Sequence, residues 1–424
     1  MKEPSSSDVI VVGGGPAGTT AATLLHRRGW TVTLFEREKH PRFHIGESLL
    51  PKNLPILEEL GVLDDVRRIG VYKPGADFCQ PGQSTEYRVF SFDRALGDSP
   101  THAYQVRRSE FDELLFRNCR ESGIDAREDH RVTRVELDEN GLHRIFVTGP
   151  DQEMSTWTSK YLLDASGRDT LLASQERWKL RNPRHATAAL FTHFSDVSPR
   201  PGVDSENGSI GIYWFHGGWI WIIPLRDGVT SVGAVCKPEY LQQRHSSQTD
   251  FLIETLRHCP GAWERLKNAD PVMPAQATGN YSYASNRHTG DGFALIGDAY
   301  AFVDPVFSSG VYLAMSSAAQ IVPVVEYWLR GDVRGYARAA RKYRVAINRG
   351  ISTFSWFIYR FTTAEMVNLF GDPRNTFKIE QAVISMLAGD VYASADIRLR
   401  LMIFKTIYAI SQILHTMRRK PAAR

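Results

Sequence analysis

The chain has 424 residues, of which 42% are hydrophobic and 23% are charged, and its formal net charge is +4. This length allows about two to four domains, and the composition is typical of folded globular proteins, which excludes wholesale disorder. The small net charge predicts no binding of nucleic acid. The four cysteines form no CxxC pair, so we expect neither a disulfide framework nor a metal site.

The N-terminal segment and the hydropathy of the chain bear on its location. The first residues lack the basic region and the apolar stretch of about 7–15 residues that define a signal peptide. A run of about 18 apolar residues is absent from the sequence, so we expect no membrane span. Scattered cysteines are typical of a reducing compartment, and the sequence therefore predicts a cytoplasmic protein.

The chain opens with a strand–helix–strand pattern. Residues 8–12 (DVIVV) form a short β-branched run, residues 17–29 have helical spacing, and residues 31–35 form a second apolar run that ends at Glu36. Further helices are predicted over residues 54–70, 109–123 and 246–268 and over most of the chain after residue 309. Strands are predicted within residues 86–108, 131–163, 186–236 and 293–296. The aromatic stretch 353–361 is typical of a buried helix, with a substrate entrance or a partner-docking surface as the alternative.

A glycine-rich turn joins the first strand to the first helix. Gly13, Gly15 and Gly18 match GxGxxG, in which the glycines allow a tight turn, the approach of a pyrophosphate and close packing of helix on strand. The pyrophosphate binds at the N-terminus of the helix, and a carboxylate at Glu36 accepts hydrogen bonds from the adenosine ribose. The motif predicts a bound dinucleotide and leaves open whether it is NAD or FAD. The predicted contacts are Gly13, Gly15, Ala17, Gly18, Glu36 and Arg37.

Three further segments resemble the flavin-dependent monooxygenase class. Gly297-Asp298 follows an apolar strand, and in that class the aspartate holds the ribityl chain. Residues 107–112 (RRSEFD), which include Arg108, resemble the segment that contacts the flavin, and residues 164–167 (DASG) resemble a segment at the end of a strand. The resemblance implies FAD rather than NAD as the cofactor.

Within this class, four features resemble the flavin-dependent halogenases. Residues 219–224 (WIWIIP) fit that family's WxWxIP signature, and residues 44–51 (HIGESLLP) match its GES segment beside the flavin. Residues 304–311 (DPVFSSGV) resemble the segment where halide and isoalloxazine meet, and Lys73 stands where the family carries its essential lysine. The resemblance adds these residues to the expected FAD contacts: Gly46, Arg108, Asp298, Pro305, Gly310 and Val311.

The resemblance also implies a division of roles. Reduced FAD and O2 convert chloride or bromide into hypohalous acid, and Lys73 directs that species to an electron-rich aromatic ring. Trp219 and Trp221 keep organic substrate away from the flavin. Glu47 and Ser48 shape the segment between the flavin and the lysine.

The expected halide site, substrates and partners follow from the same resemblance. The amides of Ser309 and Gly310 are expected to hold the halide. Tryptophan halogenases carry a glutamate at the position of Phe307, so the resemblance favours phenols, pyrroles or rings tethered to a carrier protein, and an indole stays open. A second GxGxxG for a nicotinamide coenzyme is absent, which fits a separate flavin reductase that supplies FADH2.

We expect an α/β fold in which an FAD-binding Rossmann-like domain, residues 1–320, is interleaved with an antiparallel substrate sheet (about 73–108 and 180–285). A C-terminal helical cap, residues 321–424, follows. Three alternatives stay open. A single-component FAD monooxygenase would hydroxylate a ring with NAD(P)H. A geranylgeranyl-reductase-like enzyme would reduce its substrate without oxygen. A flavin-binding protein without activity would catalyse no reaction.

Overall fold

The computed structural model describes residues 5–82, 86–138, 141–200, 208–392 and 395–419. In chain order, the strands are β1 Ser5–Val12, β2 Val32–Phe35, β3 Val71–Lys73, β4 Gly75–Cys79, β5 Tyr87–Ser91, β6 Ala103–Gln105, β7 Asp125–Arg127, β8 Arg131–Glu136, β9 His143–Thr148, β10 Met154–Asp164, β11 Lys179–Ser195, β12 Ile210–Phe215, β13 Gly218–Pro224, β14 Thr230–Cys236, β15 Asp270–Pro271, β16 Gln276–Ser285, β17 Thr289–Gly290, β18 Phe293–Leu295 and β19 Ala301–Phe302. The helices are α1 Pro16–His26, α2 Leu54–Glu59, α3 Leu63–Ile69, α4 Arg108–Glu121, α5 Leu171–Gln175, α6 Pro238–Leu241, α7 Gln248–Arg257, α8 Pro260–Leu266, α9 Ser309–Leu329, α10 Val333–Ile358, α11 Ala364–Gly371, α12 Ile379–Leu387 and α13 Ala395–Arg419.

An eight-stranded sheet carries the glycine-rich turn. Its strand order is β17-β18-β10-β1-β2-β7, with β8 and β9 attached through β10, and β1 pairs in parallel with both β2 and β10. Residues 9–12 of β1 are buried, as is usual for the apolar run of a central parallel strand. The predicted strand–helix–strand unit is confirmed, with α1 beginning at Pro16 and ending at His26.

A nine-stranded sheet has the order β19-β16-β11-β14-β13-β12-β4-β5, with β15 attached to β11. The antiparallel pairing predicted within residues 186–236 is confirmed, since β13 pairs antiparallel with β12 and β14. Both faces of β13 are buried: Trp219, Trp221 and Ile223 pack into the larger hydrophobic core, and Ile220 and Ile222 pack into a smaller one. Because successive residues of a strand point to opposite faces, the WIWII run supplies both cores.

Two of the predicted helices are split in the structure. Residues 54–70 form α2 and α3, which are separated at Gly61, whose φ is +75°. Residues 246–268 form α7 and α8, and α8 begins at Pro260. A residue in the left-handed region ends a helix, and a proline lacks the amide hydrogen that a continuing helix needs.

The C-terminal part of the chain is helical, as predicted. Helix α9 runs through position 320, so the division of the chain at that residue stays a prediction. The aromatic stretch 353–361 lies in α10 and the turn after it, and Phe354, Phe357 and Phe361 are buried, which favours a role in the helix core. Within the described residues, no helix has both the length and the apolar composition needed to cross a membrane.

Candidate active site

The glycine-rich turn is fixed by two close backbone contacts. Gly13 has a φ of +106°, and a Cβ atom there would lie 2.3 Å from the carbonyl oxygen of Ala165. A Cβ atom on Gly18 would lie 1.9 Å from the carbonyl oxygen of Gly13. At Gly15, the nearest atom to such a Cβ is Nη2 of Arg42, 3.9 Å away. Packing therefore requires Gly13 and Gly18, whereas Gly15 leaves room for a ligand at the N-terminus of α1.

A cavity of about 830 Å³, here called the long cavity, lies beside this turn. Its wall includes Glu36 at the end of β2, Asp298, and the first turn of α9. The predicted cofactor residues on its wall are Gly13, Gly15, Ala17, Glu36, Arg37, Arg108, Asp298, Gly310 and Val311. Gly18 packs against Gly13 instead and does not line the cavity.

Glu36 is held by backbone hydrogen bonds. Its Oε2 accepts a hydrogen bond from the amide of Gly14 at 2.7 Å, and its Oε1 accepts one from the amide of Glu38 at 2.9 Å. The carboxylate thus ties the glycine-rich turn to the end of β2 while it lines the long cavity. The neighbouring Arg37 forms an ion pair with Asp169.

A second cavity of about 400 Å³, here called the inner cavity, adjoins the long cavity. The two share these lining residues: His44, Arg108, Arg168, Asp298, Gly310 and Val311. Trp219 and Trp221 line the inner cavity, as do Pro305 and residues 46–48. The indole nitrogen of Trp221 donates to Ser231 at 3.2 Å, which fixes the ring. The two predicted tryptophans and the predicted flavin contacts therefore meet around one space.

Helix α9 begins where the two cavities meet. Its N-cap residue Ser308 has a φ of +56°, and Ser309 and Gly310 form its first turn, where amides lack an acceptor within the helix. Gly310 lines both cavities. Ser309 is buried, and its hydroxyl makes no hydrogen bond to any described residue. This end of the helix suits an anion, and halide binding at Ser309 and Gly310 stays a prediction.

Charged groups surround the junction of the cavities. Arg108 donates two hydrogen bonds to Asp112, at 2.7 and 2.9 Å, and one to the carbonyl of Ile45 at 3.0 Å. The charge of Arg108, together with burial, lowers the pKa of His44 to about 4. Burial raises the pKa of Asp298 to about 6, although nearby arginines act in the opposite direction. At neutral pH, the His44 imidazole is therefore uncharged.

Residues 46–49 are here called the strap, and the first three of them line the inner cavity on the side of Lys73. The backbone of the strap is attached to β6 and to the residue after it. The amide of Val106 donates to the carbonyl of Glu47 at 2.7 Å, and the amide of Leu49 donates to the carbonyl of Tyr104 at 3.0 Å. Because β6 also pairs with β3, the same strand holds both the strap and Lys73.

Lys73 is the last residue of β3 and is only 1% exposed. Its amine donates to the hydroxyl of Ser48 and to the carbonyl of Leu49, each at 2.8 Å, and lies 5.4 Å from the ring centre of Phe92. Burial lowers the pKa of this amine to about 7. Lys73 does not line the inner cavity, whereas Ser48 does. Ser48 therefore forms the wall between the inner cavity and the amine.

Three residues at the site are not singled out by the sequence analysis. Arg168 lines both cavities and directly follows the DASG segment, so its place beside that motif is a usable signal. His44 belongs to the HIGESLLP segment and lies at the same junction. His193 of β11 contacts Glu47, with Nε2 3.0 Å from Oε1. Glu47 and His193 are 146 positions apart, and no local pattern connects them.

The joined cavities fit FAD. The space at Gly15 admits a pyrophosphate at the N-terminus of α1, and Glu36 lies at the end of β2, where a ribose binds in folds of this kind. At the other end, the inner cavity with its tryptophan wall suits a flat ring system. A family model described as FAD binding domain matches residues 6–335. The family match and the residues that line the cavities therefore indicate the same cofactor.

Two relatives with known names share most of this chain. It is 37% identical over 338 residues to a tryptophan 2-halogenase of Chondromyces crocatus, with 78% of this chain and 63% of that protein covered. It is 32% identical over 379 residues to the flavin-dependent halogenase gsfI of Penicillium aethiopicum, with 84% and 70% covered. The chain therefore spans less than two thirds of the first relative's length.

Solved structures match over nearly the whole chain. A flavoprotein/dehydrogenase from Cytophaga hutchinsonii gives a TM-score of 0.87 at 27% identity, with 96% of this chain and 100% of that chain covered. The myxobacterial chondrochloren halogenase CndH gives a TM-score of 0.75 at 30% identity, with 93% and 99% covered. The expected α/β fold is confirmed, and this chain belongs to the flavin-dependent halogenase family of FAD-binding proteins.

Proposed function

We propose that this chain halogenates an electron-rich aromatic ring with chloride or bromide, O2 and FADH2, and that Lys73 directs the halogen. The observation that carries the proposal is the position of the Lys73 amine. It is buried behind the strap and hydrogen-bonded to Ser48 and Leu49, each at 2.8 Å. Removing a lysine from water is costly, and a chemical role beside the flavin cavity accounts for that cost.

Bound FADH2 supplies the electrons with which O2 oxidises halide to hypohalous acid. The residues of this chain confine that oxidant. The first-turn amides of α9, at Ser309 and Gly310, offer hydrogen bonds to a halide where the two cavities meet. Trp219 and Trp221 occupy the wall of the inner cavity and exclude an organic substrate from the flavin ring. Hypohalous acid, which is small, is then the species that leaves the inner cavity.

The Lys73 amine is suited to receive that acid. With a pKa of about 7, a large share of the amine is uncharged at neutral pH. The uncharged nitrogen can take the halogen from hypohalous acid, forming an N–halogen bond and releasing water. The charged form can instead donate a hydrogen bond to the acid. In both cases the oxygens of Ser48 and Leu49 hold the nitrogen in place.

The proposed substrate is a ring that its own hydroxyl or nitrogen activates. Phe307 is buried and packs against Phe361 and Phe370, with ring centres 5.3 and 6.2 Å apart. That position therefore has no carboxylate to assist the amine, which supports a phenol, a pyrrole or a carrier-tethered ring. The similarity to a tryptophan 2-halogenase supports keeping an indole among the test substrates.

A separate flavin reductase is the proposed source of FADH2. The sequence contains one GxGxxG motif, at Gly13, Gly15 and Gly18, and that motif lies in the turn beside the long cavity. No second motif of this kind serves a nicotinamide coenzyme. We therefore expect the chain alone to oxidise neither NADH nor NADPH.

The experiment uses the purified chain, FAD, a flavin reductase, NADH, bromide, and a panel of phenols, pyrroles and indoles. Mass spectrometry is expected to show a product with the paired isotope pattern of bromine, and only when the reductase is present. Omission of bromide is the control. NADPH oxidation by the chain alone with a hydroxylated product would assign it to the single-component monooxygenases. Turnover without O2 would assign it to the reductases.

A further inference from the structure

The strap presents two neighbouring side chains to different parts of the molecule. The backbone of Ser48 forms an isolated β-bridge with Gln105, and its hydroxyl accepts a hydrogen bond from the Lys73 amine. The preceding residue, Glu47, reaches β11, where its two carboxylate oxygens lie 3.0 and 3.2 Å from Nε2 of His193. Consecutive residues of an extended segment point to opposite sides. The strap therefore connects the nine-stranded sheet on one side to the Lys73 amine on the other.

His193 is a rigid anchor for this connection. Its carbonyl accepts a hydrogen bond from the amide of Val272 at 2.9 Å, and its backbone pairs with Ser231 of β14. Strands on both sides of β11 thus fix the backbone that carries the imidazole. A shift of the strap relative to β11 would therefore lengthen or break the contact between Glu47 and His193.

Glu47 depends on His193 for its hydrogen bonding. Its side chain is only 2% exposed, and among the described residues it accepts hydrogen bonds from His193 alone. A buried carboxylate that loses its partner turns toward water or toward another cation. The nearby Arg108 is such a cation, but Asp112 already holds it. Once the Glu47 side chain turns away, it no longer ties the strap to β11, and the adjoining Ser48 loses that support.

We infer that His193 is a positioning residue that acts through Glu47. It fixes the strap so that Ser48 holds the Lys73 amine behind the wall of the inner cavity. The inference rests on the proposed function of Lys73. It separates two properties of the protein: transfer of the halogen depends on His193, whereas FAD affinity depends mainly on the glycine-rich turn and the rest of the long cavity.

The test compares His193→Ala, His193→Gln and Val272→Ala with the parent protein. The amide nitrogen of glutamine can replace Nε2 as the donor to Glu47. Val272 and His193 both line a third cavity, of about 310 Å³, and Val272 is 52% exposed, so its side chain serves as the matched control. Each protein is loaded with FAD and given reductase, bromide and an accepted ring. Halogenated product is then measured per O2 consumed, alongside the Kd for FAD.

We expect His193→Ala to lower the product formed per O2 by about tenfold, because small displacements of a reacting group reduce transfer strongly. The Kd for FAD should stay within about twofold of the parent value. His193→Gln should recover most of the loss, and Val272→Ala should behave like the parent. Unchanged product per O2 in His193→Ala would overturn the inference, as would equal losses in the Ala and Gln variants.

A second readout uses the protein without FAD. Hydrogen exchange of the peptide that contains residues 46–49 reports on the amide of Leu49, which bonds to Tyr104. Exchange should be faster in His193→Ala and close to the parent rate in His193→Gln. Equal exchange in all the proteins would contradict the role of His193 in fixing the strap.

Two further variants keep the outcomes distinguishable. If His193→Ala does not fold, Glu47→Ala removes the same contact from the side of the strap, and normal product per O2 in that variant overturns the inference. Lys73→Ala tests the proposed role of the amine. If Lys73→Ala halogenates normally, the role of Lys73 fails and the inference about His193 fails with it, while the proposed halogenation itself stands. If Lys73→Ala loses product and His193→Ala does not, only the inference about His193 fails.

Discussion

The long cavity and the surroundings of Lys73 both adjoin the inner cavity, and they differ in construction. The long cavity is open, with about 830 Å³ of space beside the glycine-rich turn. Lys73 is enclosed and 1% exposed, and its contacts come from the strap and from Phe92. One region is ready to receive a ligand, and the other has its polar group already bonded.

This difference indicates how the two regions share the proposed reaction. A preformed cavity suits a cofactor that enters and leaves, as the proposed two-component reaction requires. An enclosed amine suits an oxidant that must be kept from water. Substitutions in the long cavity should therefore abolish binding, whereas substitutions at Lys73 should leave FAD binding intact and stop transfer of the halogen.

The largest effect on the long cavity is expected for Gly15→Val. The new side chain would extend into the space where the pyrophosphate binds, with no protein atom closer to its Cβ than 3.9 Å. The chain should therefore fold normally and lose FAD affinity by about 100-fold or more, equivalent to about 3 kcal/mol. Flavin fluorescence titration measures the Kd, and thermal unfolding measures the stability.

Two other glycines sharpen this prediction. Gly18→Ala would place a Cβ 1.9 Å from the carbonyl of Gly13, so it should reduce stability as well as FAD affinity. Gly331→Ala is the control, because Gly331 has a φ of +70° but no atom within 4 Å of its Cβ. It should cost about 1 kcal/mol of stability and leave the Kd for FAD unchanged. Tight FAD binding by Gly15→Val would remove the long cavity from consideration as the cofactor site.

The next largest effect is the change in the free energy of unfolding when Lys73 is replaced. Burial lowers the pKa of the amine from 10.5 to about 7, so between these pH values the unfolded chain binds more protons than the folded one. The free energy of unfolding should therefore rise with pH across this range. Lys73→Met should stabilise the protein by about 2 kcal/mol at pH 7, and this gain should shrink toward pH 10.

Denaturant unfolding of both proteins at several pH values checks this prediction. Lys160→Met is the matched control, since Lys160 forms an ion pair with Asp8 at the surface. It should give no gain at pH 7. A Lys73→Met protein that is less stable than the parent at pH 7 would show that the amine contributes more through its hydrogen bonds than burial costs.

The smallest expected effect is that of Glu36→Ala. The substitution removes a predicted acceptor for the ribose and the acceptor for the amide of Gly14. FAD affinity should fall by about fivefold to tenfold, equivalent to about 1 kcal/mol. Glu264→Ala is the control, because Glu264 is exposed and does not line the long cavity. An unchanged Kd for Glu36→Ala would exclude this carboxylate from the adenosine end of the site.

The sequence predicts the local parts of the site better than the distant ones. The glycine-rich turn and Glu36 belong to one stretch of chain whose spacing reflects its geometry, and the WIWIIP run reads directly as a strand. The burial of Lys73 depends on pairing between β3 and β6 and on the strap. The contact of Glu47 with His193 joins residues 146 positions apart. Neither has a periodic or local signal that a single sequence could reveal.

The measurement that tests the central claim most directly is a single turnover of Lys73→Ala. The parent and the variant are loaded with FADH2 under anaerobic conditions and then mixed with O2, bromide and an accepted ring. Both should oxidise FADH2 at the same rate, and the variant should form at least about 100-fold less halogenated product. Equal amounts of product per FADH2 from the two proteins would contradict the account.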